Sequence, residues 1–233
     1  MQSTNIVTDN FIEPLKVNLL EIIKDFNNKD LESYEKNLNK FRNLIMNYND
    51  DPELLYPILN SIFQMVYKEF KQDCDSKIKC KFLSITGEYF GEIFEKIGDL
   101  KSAIKAYAYS FILFDVKSII KLITIQIYLI MSLEFDTAHE INHIISSLPH
   151  EILYDQDKFK LFVSEDHIIE MIDIIDLAVA LSDNLLYYVK LNLNPEQKSV
   201  IKNKILKIVD NLKEYNLNIK NLIENINDLF EII

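Results

Sequence analysis

An all-α fold is predicted by three observations on this 233-residue chain. Apolar residues recur at three- and four-residue spacing almost throughout, no segment sustains the alternation of a strand, and there are only three glycines and five prolines. With 48% hydrophobic residues the chain is expected to fold and to bury a sizeable core without disulfides.

The helices follow in order. Phe11, Leu15, Leu19, Ile22, Ile23 and Phe26 mark a first helix, stopped by the polar turn Asn27-Asn28-Lys29-Asp30. Tyr34, Leu38, Phe41, Leu44 and Ile45 mark the second. Asp50-Asp51-Pro52 supplies a cap and a first-turn proline for a third helix from Glu53 to Lys71. A fourth spans Lys77 to Ile97, and the Gly98-Asp99 turn starts a fifth reaching Phe114. Lys117 to Leu133 and Phe135 to Ser147 form a further pair, which Pro149 ends. The polar segment Tyr154 to Lys160 leads through Ser164-Glu165-Asp166 into a helix ending near Leu191.

Asn194-Pro195 opens the last helix, expected to run unbroken to the C-terminus over about 55 Å. Its apolar residues form a heptad seam. Ile201, Ile208, Tyr215, Leu222 and Leu229 recur every seven residues, and Ile205, Leu212, Ile219, Ile226 and Ile233 follow four places later. Asn211, Asn218 and Asn225 flank the seam where a coiled coil places paired Glu and Lys, and Val209, Ile223 and Phe230 widen the stripe. Two placements follow: packing on the rest of the chain or a partner bundle, or a free-standing coiled coil.

A formal charge of -11 argues against a nucleic-acid backbone or an anionic membrane as the main partner. Lys198, Lys202, Lys204 and Lys207 form the nearest basic cluster, diluted by Glu196 and Asp210, and read as a solvated face. Cys74 and Cys80 match neither a redox pair nor a zinc knuckle, and two free thiols in a reducing compartment are expected. Met1 to Lys16 lacks the basic cap and apolar run of a signal peptide, and the longest uncharged run, Leu122 to Leu133, is too short to span a bilayer. A cytoplasmic chain without membrane insertion is expected.

Residues 84 to 117 resemble one tetratricopeptide repeat. Gly91 and Phe94 take the small and aromatic places of its first helix, Gly98 the turn, and Ala103, Tyr107 and Ser110 the small, aromatic and small places of its second. The unit from Ser118 resembles it less closely: Tyr128 keeps the aromatic, Ala138 the small residue, and Pro149 marks the end after a one-residue insertion. Leu19-Leu20-Glu21, the Asn27-Asn28 turn and Ser33-Tyr34 look like the helix-turn-helix of soluble NSF-attachment proteins, a vesicle-fusion adaptor family, although there the related segment lies toward the C-terminus. The matched positions are packing positions, so no functional residue carries over.

The resemblance implies a TPR-like right-handed α-solenoid whose groove binds a partner peptide or helix. Of the twelve tyrosines, Tyr107, Tyr128, Tyr187 and Tyr188 lie in apolar patterns and read as core.

One catalytic motif competes with this reading. His139-Glu140-Ile141-Asn142-His143 spells H-E-x-x-H, which on a helix sets two imidazoles one turn apart for zinc, with the glutamate to activate bound water. The metzincin positions hold Ser146 and Pro149 instead of Gly and His, His150 comes one place late, and Glu165, His167 and Glu170 match no established spacing. Glu140-x-x-His143 has no second copy for a di-iron bundle. No phosphate loop, dinucleotide fingerprint or nucleophile elbow is present, and Asp173 and Asp176 read as a solvated face.

The sequence therefore predicts a helical-repeat domain over 1–194 and a long amphipathic helix over 195–233. The expected function is a non-enzymatic scaffold or adaptor, a subunit of a larger complex or a homodimer through the C-terminal helix, binding protein and neither nucleic acid nor a cofactor. Two interaction surfaces are expected. One is the concave face of residues 84 to 147; the other is the seam of Ile201, Ile205, Ile208, Leu212, Tyr215, Ile219, Leu222, Ile226 and Leu229. The alternative is a zinc-dependent hydrolase at His139, Glu140 and His143.

Overall fold

A computed structural model of the protein describes residues 4–47, 55–73, 76–111, 116–154, 165–190, 192–215 and 217–232, with side chains for all but 4–12, 111, 148–154 and 165–167. Among the described residues every regular element is a helix: α1 (Thr4–Asn28), α2 (Leu31–Met46), α3 (Tyr56–Gln72), α4 (Lys77–Lys96), α5 (Leu100–Phe111), α6 (Val116–Met131), α7 (Phe135–Tyr154), α8 (Glu165–Tyr188), α9 (Pro195–Lys213) and α10 (Lys220–Ile232). No helix is long and apolar enough to cross a membrane among the described residues. The chain divides into two compact units, Met1–Leu113 and Phe114–Ile233.

Three helix ends share one closure. A residue with positive φ follows the helix: Lys29 (57°), Gly98 (80°) and Leu133 (63°). The next residue then reaches back five positions with its N–H, Asp30 to the Asp25 carbonyl, Asp99 to Phe94 and Glu134 to Leu129, at 3.0, 2.9 and 2.8 Å. This closes the last turn and satisfies carbonyls the helix leaves open. The aspartates go on to cap the helix that follows, accepting from Ser33 N–H and Ser102 N–H at 3.1 Å each. At Asp30 that backbone bond holds the carboxyl below its ordinary range.

In the first unit α4 packs against α2, α3 and α5, while α1 packs on α2. Its side chains are buried around most of its circumference, including Cys80, Phe82, Leu83, Phe90, Ile93 and Phe94. The Tyr34 hydroxyl lies 2.7 Å from Thr86 Oγ1, and Thr86 in turn donates to the Phe82 carbonyl at 2.5 Å. The threonine proton is thus spent, so Tyr34 is the donor. Burial pushes the Tyr34 phenol well above its ordinary value. Phe82 meets Phe26 and Tyr34 edge to face beside this bond, and Phe26 lies tilted against Tyr34, with centroids 4.6–6.0 Å apart. Each such ring contributes about 1.5–3 kcal/mol by leaving water.

The α4–α5 pair depends on two glycines. A Cβ on Gly87 would lie 2.5 Å from the Ala106 carbonyl oxygen and 2.7 Å from Ser110 N, and one on Gly91 would run into the Tyr107 ring. Ser84 adds a hydrogen bond from its hydroxyl to the Ser110 carbonyl at 2.9 Å. Ala103, Tyr107 and Ser110 are all buried.

In the second unit α6 packs against α7, α8 and α10, and α8 also packs against α7 and α9. Ten α6 residues are buried, from Ser118 to Ile130. The buried Gln126 donates from Nε2 to the Ala138 carbonyl at 3.1 Å, tying α6 to α7. Asn142 ties α7 to α8 through bonds of 2.9 Å to Ser182 Oγ and Asp183 Oδ1.

Several expectations are corrected. The single C-terminal helix is two helices. Asn194 caps α9 through a reciprocal capping box with Gln197, as the Asn-Pro start predicts, but α9 ends at Lys213 and α10 begins at Lys220. The intervening stretch holds Asn216 and Asn218, poor helix formers whose side chains compete for the backbone. The segment from Pro195 belongs to the second compact unit, Phe114–Ile233. Helix α7 does not end at Pro149 but continues to Tyr154. Proline removes one helical bond, and a helix can absorb that loss without terminating. The expected Asp50-Asp51-Pro52 cap, Cys74, Phe114 and most of the Tyr154 to Lys160 segment lie outside the described residues. Cys80 is buried and forms no disulfide among the described residues.

Substitutions at the turns and at the α4–α5 contact separate backbone strain from steric exclusion. Gly87→Ala is expected to destabilise the chain by about 2–3 kcal/mol, since the obstructing atoms are main chain. Gly98→Ala meets nothing within 4 Å and should cost about 1 kcal/mol, the left-handed backbone term alone. Leu133→Gly should stabilise by a similar amount. Urea unfolding of the three variants, with hydrogen exchange locating the change, checks the order.

Candidate partner-binding groove

Helix α3 is apolar on two sides. Leu59, Ile62 and Val66 are buried on one, and Tyr56, Phe63 and Tyr67 recur at helical spacing on another with Asn60 and Gln64 between them. Those aromatic residues remain half-buried. Across from them α5 presents Ser102, Lys105, Ala106 and Tyr109, and Phe94 of α4 forms part of the floor. The walls enclose an open groove of about 530 Å³ within the first unit.

Aromatic contacts run along it without a break. Tyr56 stacks on Phe94 (6.5 Å), Phe94 meets Phe90 edge-on (6.2 Å), and Phe90 meets Phe63 (6.2 Å). Phe63 then meets Tyr109 (5.4 Å), which meets Tyr67 (5.0 Å). Lys71 Nζ sits 4.9 Å from the Tyr67 centroid. Such packing holds the rings in place, so a guest meets a preformed surface.

The two phenols at the end of this series titrate apart. Burial, and then the neighbouring Tyr67, push Tyr109 up to about 12, whereas the Tyr109 hydroxyl beside Tyr67 holds Tyr67 below its ordinary value, against burial and with help from Lys71. Among the described residues none that lines the groove is acidic, and Lys105 lines it.

The structure separates the residues that the sequence singles out. Of the seam, Ile201, Ile205, Leu212, Ile219, Leu222, Ile226 and Leu229 are buried. They pack within the second unit, α9 on α8 and α10 on α6. Ile208 and Tyr215 are half-buried, and Val209 takes the buried place that a strict heptad gives to Ile208. Ile233 lies outside the described residues.

His139, Glu140 and His143 are all exposed on α7. Among the described residues no group of three His, Cys, Asp or Glu side chains is placed to hold a metal. The side chains of His150, Glu165 and His167 lie outside that set, and Glu170 is exposed on α8. Of the predicted core tyrosines, Tyr107 and Tyr188 are buried, whereas Tyr128 is 55% and Tyr187 42% exposed.

Residues 84 to 147 belong partly to each unit. Their first-unit portion supplies the floor and the α5 wall of the groove. In the second unit Leu133, Phe135 and His139 line a separate open pocket with Tyr187 and Lys190. Sequence reasoning passed over Tyr56, Phe63, Tyr67 and Tyr109. The available signal was a second aromatic stripe on α3, beyond the apolar face its core packing needs.

The coupled phenols give a direct test of the groove geometry. Tyr109→Phe should remove a phenol that ionises near pH 12 and should move Tyr67 up toward its ordinary value, read by ultraviolet phenolate absorbance. Because Tyr109 is raised on folding, its contribution to stability is present below its unfolded value near 10 and is lost as pH rises toward 12. Alkaline destabilisation should therefore be smaller in the variant than in the wild-type chain.

No family model, no curated protein and no solved structure matches this chain.

Proposed function

We propose that this protein is a non-enzymatic interaction module, a scaffold or adaptor that takes a segment of a partner protein in the α3–α5 groove and serves as a subunit of a larger complex. The observation that carries the reading is the half-exposed aromatic series of Tyr56, Phe63, Tyr67 and Tyr109, held rigid by its own packing and interspersed with the uncommitted polar groups of Asn60 and Gln64. Concave apolar surface with a few placed polar groups is suited to recognition.

A tetratricopeptide-like character supports the same reading. Contacts between α4 and α5 pair Ser84 with Ser110 and Gly91 with Tyr107, the order of a helical hairpin. The Gly98 turn and the Leu133 turn share one closure and are spaced by the repeat length plus the single insertion. The repeat-like hairpins position walls on which a partner segment can lie.

Co-purification from the native host, with the wild-type chain and an Asn60→Ala/Lys105→Glu variant compared side by side, tests the reading. Both substituted residues are exposed, so the fold and its circular dichroism should be unchanged while specific partners are lost. Recovery of the same partners in the same amounts by the variant would sink the groove as the binding site.

A further inference from the structure

The inference that follows rests on the groove reading and names its occupant. We propose that the groove takes an extended, proline-containing segment that carries carboxylates. Three features of the site select that chemistry.

Its hydrogen-bonding groups ask for free acceptors. Asn60 and Gln64 lie exposed between the α3 rings, and Ser102 lies on the facing wall. A helical guest arrives with its backbone bonds already closed and leaves these groups without work. An added strand needs a free main-chain edge, which helical walls do not offer. A polyproline II segment has no internal hydrogen bonds, so its carbonyls accept from amides and hydroxyls, and proline lacks the N–H that would be stranded against a ring face.

The dimensions agree. The α3 face from Tyr56 to Tyr67 extends about 16 Å. That length accommodates about five residues of polyproline II at its rise of about 3.1 Å. Pyrrolidine rings can pack on the exposed faces of Tyr56, Phe63, Tyr67 and Tyr109.

Charge sets the remaining requirement. The chain carries a net -11, yet among the described residues the groove lining contains Lys105 and no carboxylate. Lys71 stands over Tyr67 at one end. Neither lysine forms an ion pair among the described residues, whereas the nearby Glu69 and Asp73 are both taken by Lys79, at 3.5 and 3.9 Å. An acidic guest therefore meets two lysines here that no described carboxylate neutralises.

Isothermal titration of the full chain with three synthetic probes tests the proposal: a peptide alternating proline and glutamate, the same peptide with lysine for glutamate, and an amphipathic helical peptide matched in charge to the first. The proline–glutamate peptide should bind, the lysine version should not, and Lys105→Glu should weaken the first by about tenfold with the fold intact. Gln64→Ala, which leaves charge unchanged, should weaken it by about threefold. Failure of the proline–glutamate peptide to bind, or equal binding of its lysine version, overturns the proposal. Lys105-sensitive binding of the helical peptide alone overturns it too, but leaves the groove as a partner site. The groove reading itself falls only if native partners also ignore the groove substitutions.

Discussion

The closeness of α5 to α4 is the constraint on which the first unit depends. Gly87 lets the α5 main chain sit where a side chain would otherwise be, and Gly91 gives the Tyr107 ring its bed. With α5 seated that close, Tyr109 comes within ring contact of Phe63 and Tyr67, and the groove has its second wall. The same approach orders the buried Ser110, whose carbonyl receives the Ser84 hydroxyl. Close packing of this kind tolerates little compromise, because main-chain atoms cannot rotate away as side chains do.

The second unit is organised differently. Its centre is α6, apolar almost all round, sheltered by three helices and not drawn against one by small residues. The C-terminal helices serve that shelter. Leu222, Ile226 and Leu229 of α10 are buried, and the Phe230 ring centroid lies 5.0 Å from that of Tyr188 and 4.6 Å from Lys202 Nζ. A break between α9 and α10 lets one apolar stripe serve two neighbours, α8 and α6, which a straight rod could not reach at once.

Much of the architecture was legible in the residue pattern. Helix identity and the starts at Asp30, Asp99 and Asn194 follow from periodicity and capping chemistry, which act locally. What escaped the pattern depends on tertiary packing. A heptad repeat states which side of a helix is apolar, but not whether its neighbour belongs to the same chain, nor that two asparagines will interrupt it. Tyr128 and Tyr187 satisfy the same periodicity as Tyr107 and Tyr188 yet face outward, because spacing does not say how many sides of a helix are covered. The groove was hidden for the related reason that half its lining comes from a helix distant in sequence. H-E-x-x-H was legible as a motif, and its exposure on α7 depends on which helices flank it.

The placement of α6 has a temporal corollary. A ribosome delivers α6 well before α8 and α10, two of the helices that cover it. Until those arrive, the most apolar helix of the second unit has, of the three helices that shelter it there, α7 alone, and that interval is when a holdase or a neighbouring chain can capture it.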